Sequence, residues 1–389
     1  MRMIGRGDFI RGAVASATLG GAGFLSAGTK RVGIVPTADV KIRSALLHLG
    51  MSMWGSYRAP DENTDPKCQY TRTECPTEPA VWNGVTELMR KRRYNQAIID
   101  LGGGVEFPSH PEITVKGGRS AQWVRDEVRR LADMGIEAIP KLNFSATHDA
   151  WLGVYERMLS TPKYYEVVRD LINDAVEMFD HPRFVHLGLD EESADWQKKF
   201  AYVVLRRGEL WWKDFGFYLD CLEKHNARAI VFGSGIAVAD EKAFFARMPK
   251  SVVLNLGLYG HGWTAEKARK WCEKTGTELS TNRRYRFLSG LLQRIGEGGY
   301  DILGCASNWV NLGDKKKYPV VKYGKDFPRD RESIAWFHDI LAKEVPSERL
   351  IGGMIAPWTA MTEPYLDYWC DGVSQLAEDM EARGWRAEG

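Results

Sequence analysis

The residues best equipped for chemistry in this chain of 389 residues lie in Phe184-Val185-His186-Leu187-Gly188-Leu189-Asp190-Glu191-Glu192. Three acids follow a short apolar run. Adjacent carboxylates in a partly desolvated cleft repel, so at least one is expected to hold its proton near neutral pH. Cleavage of a glycosidic bond needs such an acid, because the leaving oxygen must be protonated as the bond breaks. The competing reading is structural, with Asp190 to Glu192 capping a following helix.

Three other segments carry polar or aromatic groups that fit the same chemistry. Ile139-Pro140-Lys141-Leu142-Asn143-Phe144-Ser145-Ala146-Thr147-His148-Asp149 offers Asn143 and His148 as hydrogen-bonding groups for a sugar. A turn and a helix cap account equally well for His148 and Asp149. Ile351 to Glu363 carries Trp358, placed as a stacking platform for the C–H face of a sugar, with Glu363 a few residues beyond. Core packing is the alternative for Trp358. Cys305-Ala306-Ser307-Asn308-Trp309 brings Trp309 as a further candidate sugar contact but no carboxylate. A two-carboxylate retaining mechanism needs a nucleophile across the site from the acid. A substrate-assisted route avoids that need: the sugar's own 2-acetamido oxygen attacks the anomeric carbon, and a protein carboxylate orients the amide.

These segments need a scaffold. From residue 40 onward, eight apolar runs alternate with amphipathic stretches. The runs are 44–53, 96–101, 136–144, 183–189, 227–233, 251–258, 300–306 and 350–357. Each is rich in Ile, Val or Leu and short enough for a buried parallel strand. Stretches such as 120–134, 163–179 and 208–225 have helical spacing between them. Eight strands alternating with helices predict an α/β protein, a single (β/α)₈ TIM-type barrel over residues 40–389. In such a barrel the acids, Asn143, His148 and Trp358 all follow strand ends, and so meet at one face. A doubly wound sheet lacks its phosphate-binding signature here: after Gly102-Gly103-Gly104, the segment Val105-Glu106-Phe107-Pro108 opens no helix. Two irregular stretches, 56–79 and 308–331, follow the first and seventh runs and are expected to wall a cleft.

Composition narrows the partners. Lys plus Arg number 53 and Asp plus Glu 51, a net charge of +2, which gives no reason to expect a nucleic acid. There is no CxxC, CxxH or His-x-His cluster, so neither a metal nor a cofactor is expected. A metal-dependent hydrolase using His148, Asp190 and Glu191 is the weakest reading for that reason. The 14 Trp suit a carbohydrate site, though most must serve the core.

Residues 1–28 read as a secretory signal. Arg2, Arg6 and Arg11 precede an uncharged Gly/Ala-rich stretch from Gly12 to Ala27, and Leu25-Ser26-Ala27 is a plausible cleavage end. Arg6-Gly7-Asp8-Phe9-Ile10-Arg11 resembles a twin-arginine signal with Gly7 in place of the second Arg. The stretch falls short of a membrane span. The expectation is therefore an exported protein, periplasmic or extracellular, with no stable span in its mature form. Cys68 and Cys75 could pair in that setting. Cys221, Cys272, Cys305 and Cys370 read as buried thiols.

With these residues in view, the chain resembles the family-20 glycoside hydrolases, the β-N-acetylhexosaminidases. His186-Leu187-Gly188-Leu189-Asp190-Glu191 is similar to that family's His-x-Gly-Gly-Asp-Glu. Tyr94 to Asp100 and Phe107-Pro108-Ser109-His110-Pro111-Glu112 resemble its second strand and following loop. Gly135 to His148 resembles its third-strand motif, and Gly352-Gly353 through Trp358 its last-strand Gly-Gly-x-x-x-x-Trp. The resemblance implies Glu191 as general acid/base, Asp190 as the group orienting the acetamido substituent, His186 as a support beneath the acid, and Trp358 as pocket lining. The chain departs from the pattern elsewhere. Lys141 and Asn143 stand where the family has Glu and Asp, Ser145-Ala146-Thr147 replaces Pro-Gly, and Ala360 replaces an acid, leaving Glu363 as a displaced candidate. The first strand shows no counterpart of the family's sugar-binding Arg, though Arg58 lies nearby. These departures frame the alternatives of a catalytically inactive glycan-binding barrel or a hydrolase of a non-acetamido glycan.

Overall fold

The computed structural model describes residues 33–50, 55–57, 73–192, 197–198, 200–308 and 329–387. The expected signal at 1–28, Arg58, Cys68 and Trp309 lie outside the described residues, as does most of the two irregular stretches.

The strands are β1 (Ile42–His48), β2 (Gln96–Asp100), β3 (Glu137–Lys141), β4 (Phe184–His186), β5 (Arg228–Phe232), β6 (Val253–Gly257), β7 (Asp301–Ala306) and β8 (Leu350–Ile355). They form a closed barrel in chain order. All neighbours are parallel, and β8 pairs with β1 from Ile42↔Gly352 to Ala45↔Ile355. Each strand overlaps one of the eight apolar runs, so the predicted (β/α)₈ barrel is the fold.

Helices return the chain between strands, and their starts follow local rules. Ser120 accepts a hydrogen bond from the Trp123 N–H, and Thr161 from the Tyr164 N–H with Pro162 in the first turn. The helix Pro162–Met178 buries Val167, Val168, Leu171, Ile172 and Ala175, one stripe at helical spacing, against the barrel wall.

Inside the barrel, Ile42, Leu46, Ile98, Ile139, Ile230, Val253 and Leu303 form the apolar plug. Fully burying a side chain of this size contributes about 1.5–3 kcal/mol. The last-strand glycines are required by close packing, Gly352 toward the barrel interior and Gly353 toward the outer helices. A Cβ on Gly352 would lie 2.1 Å from the Ile42 carbonyl oxygen, and one on Gly353 would lie 2.8 Å from His338 Nε2. Toward the C-terminal mouth the interior turns polar. His48, Asp100, Lys141 and His186 end the first four strands in one register row, and all are buried.

No helix among the described residues is long and apolar enough to cross a membrane. Cys221, Cys272 and Cys305 are buried thiols, and Cys370 is half-buried. Cys75 is a free thiol whose Sγ donates to the Leu49 carbonyl at 3.2 Å.

Candidate active site

β4 is only three residues long, but its backbone pairing runs past its end. Leu142 and Phe144 donate to the His186 and Leu187 carbonyls at 2.9 and 3.0 Å, and Phe232 donates to Gly188 at 2.8 Å. The chain then curls. Gly188, Leu189 and Glu191 have φ values of 71°, 65° and 56°. Left-handed backbone costs a side-chain-bearing residue about 1–2 kcal/mol. Gly188 is also required sterically, because a Cβ there would lie 2.1 Å from Asn143 Oδ1.

The curl aims two consecutive carboxylates at one imidazole. His148 Nδ1 lies 3.3 Å from Asp190 Oδ1, and His148 Nε2 lies 3.3 Å from Glu191 Oε2. The His148 side chain is 0% exposed, Asp190 18% and Glu191 32%, so Glu191 is the more open carboxylate of the pair. Burial alone would lower the His148 pKa. The charge and hydrogen bond of Asp190, with Glu191 beside it, instead push it up to about 10. The ring is therefore an imidazolium at neutral pH. Burial would raise Asp190, but the His148 charge and a contribution from Lys141 hold it well below the usual carboxylate range. Asp190 is fixed as an anion.

Asn143 lies beside the ring, and its Oδ1 accepts from the Ser145 N–H at 3.1 Å. Ser145 Oγ in turn donates to the Asp190 carbonyl. The two segments after β3 and β4 are thus tied together, and Asn143, His148, Asp190 and Glu191 form one connected group. Asp149 turns away, taking the Arg157 N–H at 2.7 Å and ion-pairing with that guanidinium.

The third acid has a different task. Glu192 is buried against Arg206, 2.6 Å away, and accepts from the Ala146 N–H at 2.7 Å. Arg206 also donates to the Phe144 carbonyl and the Tyr218 hydroxyl, each at 2.6 Å. The carboxylates of Asp190 and Glu192 are thus directed at His148 and Arg206.

His186 lies inside the barrel. Burial and the Lys141 charge push its pKa down to about 3, so the ring is neutral. Its Nδ1 accepts from the Gly188 N–H at 3.0 Å, which leaves the proton on Nε2, facing Asn255 Oδ1 at 3.4 Å. It braces the curl through backbone. Trp358, at φ 57° and 8% exposed, roofs the barrel among His48, Phe232 and Tyr259 at ring-centroid distances of 6.0, 6.0 and 6.4 Å. Glu363 lies elsewhere: it is exposed, and its N–H donates to Glu78 Oε2 at 3.1 Å. No hydrogen bond or ion pair joins it to the Asp190–Glu191 group among the described residues.

Two parts of the mouth escaped the sequence reading. One is the row below the acids, where Lys141 Nζ meets Asp100 Oδ2 at 2.5 Å and His48 Nδ1 approaches the same oxygen at 3.4 Å. Burial would raise Asp100, but Lys141 holds it below the usual range. Burial lowers His48. The other is Tyr259 after β6, whose hydroxyl lies 3.2 Å from Cys305 Sγ. Inward parity at strand ends was the available signal for His48, Asp100 and Lys141. Among the described residues, no three His, Cys, Asp or Glu side chains converge as metal ligands would.

No protein-family model and no curated protein matches the sequence. Solved structures do match the fold. The Flavobacterium johnsoniae chitobiase is 14% identical with a TM-score of 0.53, over 89% of this chain and 51% of that one. The β-N-acetylhexosaminidase of Bacteroides fragilis is 14% identical with a TM-score of 0.51, over 90% of this chain and 66% of that one. A catalytic module of the pneumococcal exo-β-D-N-acetylglucosaminidase is 12% identical with a TM-score of 0.51, over 88% and 83%. The chain thus spans about half to two thirds of the length of the first two. Its barrel has the fold of the family-20 β-hexosaminidase catalytic barrels.

Proposed function

We propose that the chain is an exported glycoside hydrolase resembling the β-N-acetylhexosaminidases, with Glu191 as general acid/base and Asp190 as the group orienting the substrate's 2-acetamido substituent. The observation that carries this reading is the His148 bridge: one buried imidazolium holds two consecutive carboxylates of unequal exposure at a strand end of the barrel mouth. Asp190, kept anionic, accepts the acetamido N–H and stabilises positive charge developing on the amide. The acetamido oxygen attacks the anomeric carbon as Glu191 passes to the leaving oxygen a proton taken from the His148 imidazolium, whose Nε2 lies 3.3 Å away, and the C–O bond breaks. Glu191 then takes a proton from the water that opens the cyclic intermediate and returns it to His148. The starting protonation of both groups is restored, and the anomeric configuration is retained.

The test is hydrolysis by the purified protein of an aryl-glycoside panel, N-acetyl-β-glucosaminide and N-acetyl-β-galactosaminide first. No cleavage across the panel removes the proposal. A second reading, hydrolysis of a non-acetamido glycan or binding without turnover, is favoured by one observation. Lys141, paired with Asp100 on the mouth's floor, stands where the resembled family carries Glu in its third-strand motif. Turnover of a glycoside lacking the acetamido group, or glycan binding unaltered by Glu191→Gln, selects it.

A further inference from the structure

Across the mouth from β3 and β4, the connection between β6 and β7 holds an arginine with no anionic partner among the described residues. The Arg284 guanidinium carbon lies 4.8 Å from the centroid of the Trp263 ring. Its Nη2 reaches the Tyr259 carbonyl at 3.5 Å, and its Nε is buried with no hydrogen-bond partner. Among the described residues no carboxylate pairs with it. Burial, with the nearby Arg283 charge, lowers its pKa below the usual arginine range, the direction of a cation lacking a counter-ion. Arg286 and Arg294 on the same connection share Glu241, and elsewhere in the barrel Arg206 takes Glu192 and Arg183 takes Glu137.

The position borders the candidate site. Tyr259, whose carbonyl Arg284 approaches, packs its ring 6.4 Å from Trp358 and sets its hydroxyl against Cys305 at the end of β7. The acids of the adjoining loop are engaged: Asp330 and Glu332 bracket His261 at 2.7 and 2.9 Å. A guanidinium beside an indole keeps its charge, and its planar N–H fork matches carboxylate and sulfate oxygens.

We propose that Arg284, backed by Trp263, binds an anionic substituent, a carboxylate or a sulfate ester, on a glycan lying across the barrel mouth. The glycan rests on the proposed function; the anion does not. Three probes test it by calorimetry on the Glu191→Gln protein, which holds substrates without turnover: chitotetraose (neutral), a hyaluronan tetrasaccharide (carboxylate) and N-acetylglucosamine 6-sulfate compared with N-acetylglucosamine (sulfate). The expected result is at least one anionic probe binding tenfold or more tighter than its neutral counterpart. That preference weakens with added salt, disappears in Arg284→Gln and partly survives in Arg284→Lys, while chitotetraose affinity stays within twofold in both variants. Whichever anionic probe shows the preference identifies the substituent. Chitotetraose binding with no anionic preference, or a preference untouched by both Arg284 variants, overturns the anion site and leaves the glycan reading standing. Binding of none of the probes overturns both.

Discussion

Replacing His148 by Gln removes the cation between Asp190 and Glu191 while keeping a polar side chain there. The rise of the His148 pKa from 6.5 to about 10 corresponds to about 5 kcal/mol favouring the charged ring. Breaking a buried pair costs about 3–5 kcal/mol. The lower end applies here, because Asp190 and Glu191 are 18% and 32% exposed and water screens them once the imidazolium is gone. At about 2.1 cal/mol/K of unfolding entropy per residue, 3 kcal/mol over 389 residues lowers Tm by about 4 °C. The sign with pH is fixed. A group whose folded pKa is raised contributes fully below its unfolded pKa of 6.5 and loses that contribution as pH rises toward 10. Asp190, depressed below 3.8, contributes above that value and loses its contribution as pH falls through its folded pKa. Scanning fluorimetry of wild type and His148→Gln from pH 4 to 10 is expected to show the full gap between about pH 4 and 6.5, closing by pH 10. A gap that is constant to pH 10, or that widens with pH, refutes an imidazolium bridge.

Three further outcomes follow from the same geometry. Asp190→Asn is expected to lower kcat on 2-acetamido glycosides about 10²–10³-fold with a smaller change in KM; an unchanged kcat removes the orienting role. Lys141→Met leaves the Asp100 carboxylate buried without its partner, an expected loss of about 3–5 kcal/mol in a denaturant melt, most of it recovered by adding Asp100→Leu. Expression of the full chain in a bacterium with intact export is expected to yield periplasmic protein whose N-terminus, by peptide sequencing, begins just after Ala27. Uncleaved cytoplasmic protein contradicts the export proposal.

The barrel was legible because its signal is repeated. Eight apolar runs with helical stretches between them leave one closed arrangement, and each strand overlaps its run. β4 was legible for another reason: Leu187 to Glu192 passes abruptly from apolar to acidic, as a buried strand opening at a mouth must. The division of labour among its three acids was not. Glu192 is claimed by Arg206, a residue 14 positions on whose direction no local pattern predicts. The imidazolium bridge depends on the left-handed turns at Gly188, Leu189 and Glu191, of which only the glycine announces itself in a sequence. Glu363, near Trp358 in sequence, lies outside the acid group because the chain turns there into the helix Leu366–Ala382. The Gly352-Gly353 pair, read as part of a motif, has a packing cause in Ile42 and His338.

The central claim is that Glu191 is the proton donor of a glycosidase, held with Asp190 on one buried imidazolium. Steady-state hydrolysis of 4-nitrophenyl N-acetyl-β-glucosaminide and N-acetyl-β-galactosaminide by wild type and Glu191→Gln, with Tm measured on both, tests it most directly. Turnover by wild type, a loss of about 10²–10⁴-fold in kcat/KM in the variant, and a folded variant are expected. Equal turnover by the two proteins, or none by wild type on these or any other aryl glycoside, contradicts it.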